Sequence, residues 1–356
     1  MKKLLTIAII SVCILLQTIE TFAWTDKRVE KEKKEHKQYT VPDGGKLFID
    51  NTYGKVHINT WDKNEITIDI TVTAKAKNDE QAQEILDRIS FSASGEEGGR
   101  NVFCKTVLAT QKHNIEQSSM QIDYVINAPK KNALDIINKY GDVFLADFSG
   151  KLNMHVSYGG LDMQTITGGD KNIKVAYGSA MVSSIESGSF DISYTNLTIE
   201  SAGKIDVTNK FGNSNITSVQ NLSIDQKYGN VETGTVGHIT GTIDYANLEI
   251  AELQTSANLA LKYCGKADFK LIRQGVDQFV TEAYYSNVSL HLADAANLSM
   301  EIATSYSSVK KSATLKAVEL TNITPNSMNS EHYRGKAGAG AGNMVINAHY
   351  SNINFK

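Results

Sequence analysis

The chain has 356 residues and a formal net charge of -3, from 36 basic and 39 acidic side chains, with 41% hydrophobic residues and only 3 prolines and 3 cysteines. A balance this even excludes the strongly basic surface expected of a nucleic-acid-binding protein.

Residues 1–23 read as a secretory signal. Lys2 and Lys3 form a charged start, an apolar run extends from Leu4 to Leu16, and Thr21-Phe22-Ala23 supplies a small-residue cleavage site. The run is too short to span a bilayer, so no membrane span is expected once the signal is removed. Ile10-Ser11-Val12-Cys13 is the rival, a lipid-anchoring site. Val12 is bulkier than such sites usually allow before the cysteine, so cleavage after Ala23 is favoured over anchoring at Cys13. Residues 24–39, dominated by KRVEKEKKEHK, mix both charge signs with one aliphatic residue and read as a solvated tether.

From 40 to 130 the pattern predicts strands at Lys46–Asp50, Lys55–Asn59, Glu65–Ala74 and Ser119–Ala128. One helix interrupts them, over Asn78–Ile89, with Asn78 as N-cap and Ala82, Ile85, Leu86 and Ile89 on one face. Tyr53-Gly54-Lys55-Val56 already carries the motif that organises the rest. The segment therefore reads as a cap plus first rungs.

Residues 131–356 are a repeat array. An aromatic residue followed by a small residue or Asn and a short alternating stretch stands at Tyr140, Tyr158, Tyr177, Tyr194, Phe211, Tyr228, Tyr245, Tyr263, Tyr285 and Tyr306, in steps of 18, 19, 17, 17, 17, 17, 18, 22 and 21 residues. Tyr350 closes the series after 44 residues, the length of two steps. A fixed period near twenty with strand-like units predicts a right-handed β-helix or β-solenoid of short repeated strands, all-β, with an N-terminal strand-rich cap containing one helix. In Leu222-Ser-Ile224-Asp-Gln-Lys-Tyr228 and Leu259-Ala-Leu261-Lys-Tyr263 the ring shares the parity of the aliphatics, so alternation points it inward. Small residues and Asn just after the ring, as in Gly229-Asn230 and Ala246-Asn247, suit a left-handed corner. Stacking equivalent residues predicts an internal aromatic ladder and a hydrogen-bonded row of corner asparagines. The absence of proline between 130 and 324 agrees, because paired strands need every N–H.

Candidate chemistry is sparse. The glycine run Gly338-Ala-Gly340-Ala-Gly342 lacks phosphate-loop spacing and reads as a turn or crossing. The eight histidines show no metal-ligand spacing, and Cys104 and Cys264 read as separate buried thiols unless folding brings them close. Asp191, Asp225 and Asp244 precede rings at outward parity, and Asp135 and Asp206 stand further ahead. As a column they could hold Ca²⁺ or act as an acid/base pair on a polysaccharide, although solubilising outer positions explain them more simply. No catalytic, cofactor or metal residue is assigned, and no cofactor is expected.

Gln121-Ile-Asp-Tyr-Val-Ile-Asn-Ala-Pro129, Leu134-Asp-Ile136, the serial Tyr-Gly-x-Val units beginning at Tyr140-Gly-Asp-Val143, and Tyr350-Ser-Asn-Ile-Asn-Phe355 resemble the putative adhesin family of secreted bacterial β-strand-repeat proteins, a domain-of-unknown-function group of Gram-negative envelopes. The resemblance covers about residues 40 to 356 and implies a β-helix-like fold and an adhesin-like role, with no catalytic residues. The expectation is a non-enzymatic protein exported to the periplasm or cell surface, with an envelope protein or a glycan as its partner. The alternatives are a polysaccharide-active enzyme using the outer aspartates, and a periplasmic structural or signalling scaffold.

Overall fold

The computed structural model describes residues 28–95, 99–110, 118–313, 315, 318–324 and 329–356. The segment expected to be a secretory signal, with Cys13, lies outside the described residues. The fold is all-β, a single large open sheet with one helix among the described residues.

The N-terminal region holds β1 (Val29–Thr40), β2 (Lys46–Thr52), β3 (Val56–Trp61), β4 (Glu65–Ala76), α1 (Asp79–Asp87), β5 (Ile89–Ser94), β6 (Asn101–Leu108) and β7 (Ser119–Pro129). Next come β8 (Ala133–Lys139), β9 (Val143–Leu145), β10 (Leu152–Ser157), β11 (Gly160–Ile166), β12 (Lys171–Lys210), β13 (Ser214–Lys262), β14 (Ala267–Ile272), β15 (Gln278–Tyr284) and β16 (Asn287–Leu292). β12 and β13, at 40 and 49 residues, each run on through two ring corners, Tyr177 and Tyr194 in the first and Tyr228 and Tyr245 in the second. The C-terminal region adds β17 (Leu298–Ser305), β18 (Ser308–Lys311), β19 (Val318–Asn322), β20 (Ser330–Ala337), β21 (Gly342–His349) and β22 (Asn352–Phe355).

Two parallel ladders run side by side, one built from the strand before each ring and one from the strand after it. The first runs β6, β2, β8, β10, β12, β13, β15, β21, β17. The second runs β7, β3, β9, β11, β12, β13, β14, β16, β22, β18. Registers follow the sequence period: Ile199 lies opposite Ile216 and Leu248 opposite Ala267. Apolar residues therefore stack on apolar residues, and the core is a set of buried columns such as Val143, Leu161, Ala180 and Leu197. Each buried aliphatic contributes roughly 1.5–3 kcal/mol, and only the neighbouring rungs can bury it.

The ends depart from this pattern. β1, β4 and β7 pair antiparallel at the N-terminal end of one ladder, and β5 with β6 at that of the other. β17, β20 and β19 pair antiparallel at the C-terminal end. The charged segment expected to be a solvated tether is β1, paired along all its length with β4. Its lysines and glutamates alternate between half-buried and exposed positions, so long side-chain stems cover apolar surface while their charges stay in water. α1 begins at the expected cap, where Asn78 Oδ1 accepts the Gln81 N–H at 2.9 Å, and it buries Ala82, Ile85 and Leu86.

The last rung is out of sequence order. Tyr350, expected to close the series, sits between Tyr285 and Tyr306, because β21 pairs with β15 on one edge and β17 on the other. The glycine run is the crossing that brings it there, with Gly338 and Gly340 at φ of 64° and 76°. Cys104 and Cys264 are both free and buried, and burial raises each thiol to about 11.

Candidate functional site: a ladder of stacked rings

The ring positions of the sequence repeat meet on the surface. Tyr53, Tyr140, Tyr158, Tyr177, Tyr194, Phe211, Tyr228, Tyr245, Tyr263, Tyr285, Tyr350 and Tyr306 form one continuous stack, in that order, with successive centroids 4.6–5.4 Å apart and planes within 20°. The spacing is that of neighbouring strands, about 4.7–4.9 Å.

These rings face outward, contrary to the inward direction that alternation suggests. Each is roughly half exposed, from 39% at Tyr53 to 56% at Tyr306. The cause is a backbone feature: every ring residue has φ between 49° and 69°, in the left-handed region. That single turn reverses the alternation, so a ring two positions after an inward aliphatic leaves the core. The corner is thus made by the aromatic residue itself, at about 1–2 kcal/mol of conformational cost, offset by two stacking contacts of about 0.5–1.5 kcal/mol each.

The following residue is where size matters. A Cβ added to Gly159 would lie 2.0 Å from the Gly141 carbonyl oxygen, and one at Gly212 would lie 1.9 Å from that of Thr195. Where serine occupies this position it turns its hydroxyl into the ladder. Ser286 Oγ accepts the Cys264 N–H, Ser351 Oγ accepts the Ser286 N–H, and Ser307 Oγ accepts the Ser351 N–H, at 2.9–3.1 Å.

One residue further on, an exposed row caps the corners. Asn196 Oδ1 accepts the Asn213 N–H, Asn213 Oδ1 accepts the Asn230 N–H, and Asn247 Nδ2 donates to Asn230 Oδ1. Asp142 takes the same part lower down, accepting the Gly160 N–H at 2.8 Å. Inside the corners lie two amide clusters that periodicity did not reveal. Asn51 donates to Asn138 and accepts from Thr106, and Asn209 is linked through Ser214 to Gln226.

The outer aspartates do not form one column. Asp191 and Asp225 stand three residues before their rings and Asp244 one residue before, so they fall on different outward rows. The partner of Asp225 across the pairing is Thr208. Asp191 meets Lys174 at 3.5 Å, Asp244 meets Lys227 at 3.7 Å, and Asp135 meets Lys46 at 2.7 Å. Among the described residues no group of three His, Cys, Asp or Glu is placed to hold a metal ion.

Beside the ladder, on the strands that follow the rings, lies an open depression of about 420 Å³. His57 and Phe144 stack at 4.4 Å along one wall, Met181 stands opposite at 52% exposure, and Asp142, Asp162 and Gly160 complete it. Periodicity does not single out these side chains, because they occupy an ordinary outward row.

The architecture defines a class: an all-β protein with one large open sheet, whose sequence repeat is displayed as a surface aromatic ladder. Neither a family model nor a curated protein matches the chain. Solved structures that it resembles include a "putative cell adhesion protein" from Clostridium sporogenes, 11% identical with a TM-score of 0.19, covering 92% of this chain and 99% of that one. A "putative adhesin" from Bacteroides fragilis is 10% identical with a TM-score of 0.26, covering 91% and 97%. Another from Parabacteroides distasonis is 14% identical with a TM-score of 0.29, covering 72% and 96%. Likenesses this distant leave the functional reading to rest on the chain's own geometry. Among the described residues no helix is long and apolar enough to cross a membrane.

Proposed function

We propose that the chain is an exported, non-enzymatic β-solenoid, coiled as a right-handed β-helix, whose ladder face binds an extended partner: a glycan or an envelope protein. The observation that carries this reading is the unbroken stack of twelve half-exposed rings. Stacking covers the faces of the inner rings, so a partner meets ring edges and phenol oxygens repeated at every rung. Each such contact is weak. A linear row of equal contacts favours a linear partner, since every further contact is made at high effective concentration. The flanking row of corner amides adds donors and acceptors at the same spacing.

The test is retention of the mature protein on a glycan array and on immobilised envelope extract, with and without Ca²⁺. Binding is expected to one of these, to be independent of Ca²⁺, and to fall about tenfold or more when Tyr158, Tyr177 and Tyr194 are changed together to Gly, which keeps the left-handed corners. No retention on either surface, or retention untouched by the triple change, overturns the reading.

A further inference from the structure

The rung carrying Tyr350 is held differently from every other. Its two strands sit between strands that precede them in sequence: β21 between β15 and β17, and β22 between β16 and β18. The backbone follows the same order, with the Tyr285 N–H donating to His349 O at 3.0 Å and the Tyr350 N–H donating to Ser305 O at 2.9 Å. Side chains repeat it: Asn352 Nδ2 donates to Asn287 Oδ1, and Ser308 Oγ donates to Asn352 Oδ1. Met344, Ile346, Ala348, Ile353 and Phe355 are all buried and complete the core at this level.

Tyr285 and Tyr306 are 21 residues apart, one ordinary step of the repeat. Gln278 and Ser299 face the same residue of the inserted strand, Asn343, so β15 and β17 are in register with each other across it. The inserted rung is therefore a wedge between two rungs that the repeat places next to one another. It is joined to the rest through the crossing at Gly338 and Gly340, both in left-handed conformations. Its contacts are made with strand edges that every copy of the chain carries.

We infer that residues 342–356 form an exchangeable rung, and that the partner suited to the slot between β15 and β17 is the same segment of a second copy of this chain. A reciprocal exchange keeps every hydrogen bond and every buried side chain of the rung and alters only the crossing, which is the condition for a swapped dimer. The slot accepts an extended strand on both edges at once, a doubled form of strand addition.

Paired cysteines on full-length chains test this. Glu282 and Asn347 are register partners on the outer surface, at a separation that parallel neighbours make suitable for a disulfide. E282C and N347C chains are refolded together at equal concentration and oxidised. The expected product is a disulfide-linked pair of chains, roughly tenfold above that from E282C mixed with V345C, which is two residues out of register. The double variant E282C/N347C reports the rung closing within one chain and should bridge internally. Internal bridging with no excess of the in-register mixed pair overturns exchange. Failure of the double variant to bridge overturns the placement of the rung itself.

Discussion

The middle of the molecule and its two ends are built from the same residues under different rules. Between Lys171 and Lys262 each rung copies the one before it at 17 or 18 residues, every pairing is parallel, and surface acids meet lysines of the adjacent rung. At the ends the pairing turns antiparallel, the steps lengthen, and one rung is inserted out of order. A stack gains stability by repetition, but it can only be finished by breaking the repetition.

Sharp tests of that contrast begin with the corners. Gly159→Val places a side chain against the Gly141 carbonyl and should cost about 3 kcal/mol or more, whereas Gly169→Ala, with open space around it, should stay within about 0.5 kcal/mol. Denaturant midpoints read both, and equal effects would remove the close-approach account. Next come the rings. Tyr194→Ala loses two stacking neighbours and Tyr306→Ala only one, so expected costs are about 1–3 and about 0.5–1.5 kcal/mol. Tyr194→Gly should be milder than Tyr194→Ala by about 1 kcal/mol, because Gly suits a φ of 50°. Near-UV circular dichroism of the stack should weaken in all three.

A smaller effect is expected at Lys171. It is 2% exposed, it stacks on Leu152, and its ammonium donates to Gly169 O. Burial holds its pKa below the ordinary lysine value. The unfolded chain keeps that proton more readily, so stability should rise with pH up to the unfolded lysine value, and Lys171→Leu should remove this rise. The change is expected to be neutral or stabilising by about 1 kcal/mol, and a loss of stability would contradict it.

The smallest concerns the C-terminal end. Burial, with the bond to Glu331, raises the Tyr333 phenol to about 12 from an ordinary 10.0. A raised folded value means that its contribution is complete below pH about 10 and lost as pH climbs toward about 12. Hydrogen exchange of β20 should quicken in that window in the wild type, and less so in Tyr333→Phe.

The sequence made the all-β repeat legible, because a ring every 17 to 22 residues survives any detail of conformation. It misdirected the rings themselves. Parity reasoning assumes extended backbone up to and including the aromatic, and a left-handed φ at Tyr158 or Tyr228 reverses the outcome without any mark in composition. β1 was unreadable for another reason: KEKKEHK has no apolar face, and only the alternation of Ile66, Ile68 and Ile70 in β4 hinted at a strand needing a partner. The place of Tyr350 follows from topology, which a spacing of 44 residues does not reveal. The different rows of Asp225 and Asp244 were present in their unequal offsets from the rings.

β1 carries a consequence for the size of the molecule. A pile of parallel strands always offers one more free edge, and nothing in the repeat itself says where to stop. Twelve residues in which lysine and glutamate alternate sides, laid along that rim, make a poor template for another chain. The strand thus discourages further pairing along the one rim it covers, while β5, β18 and β19 form the other rims.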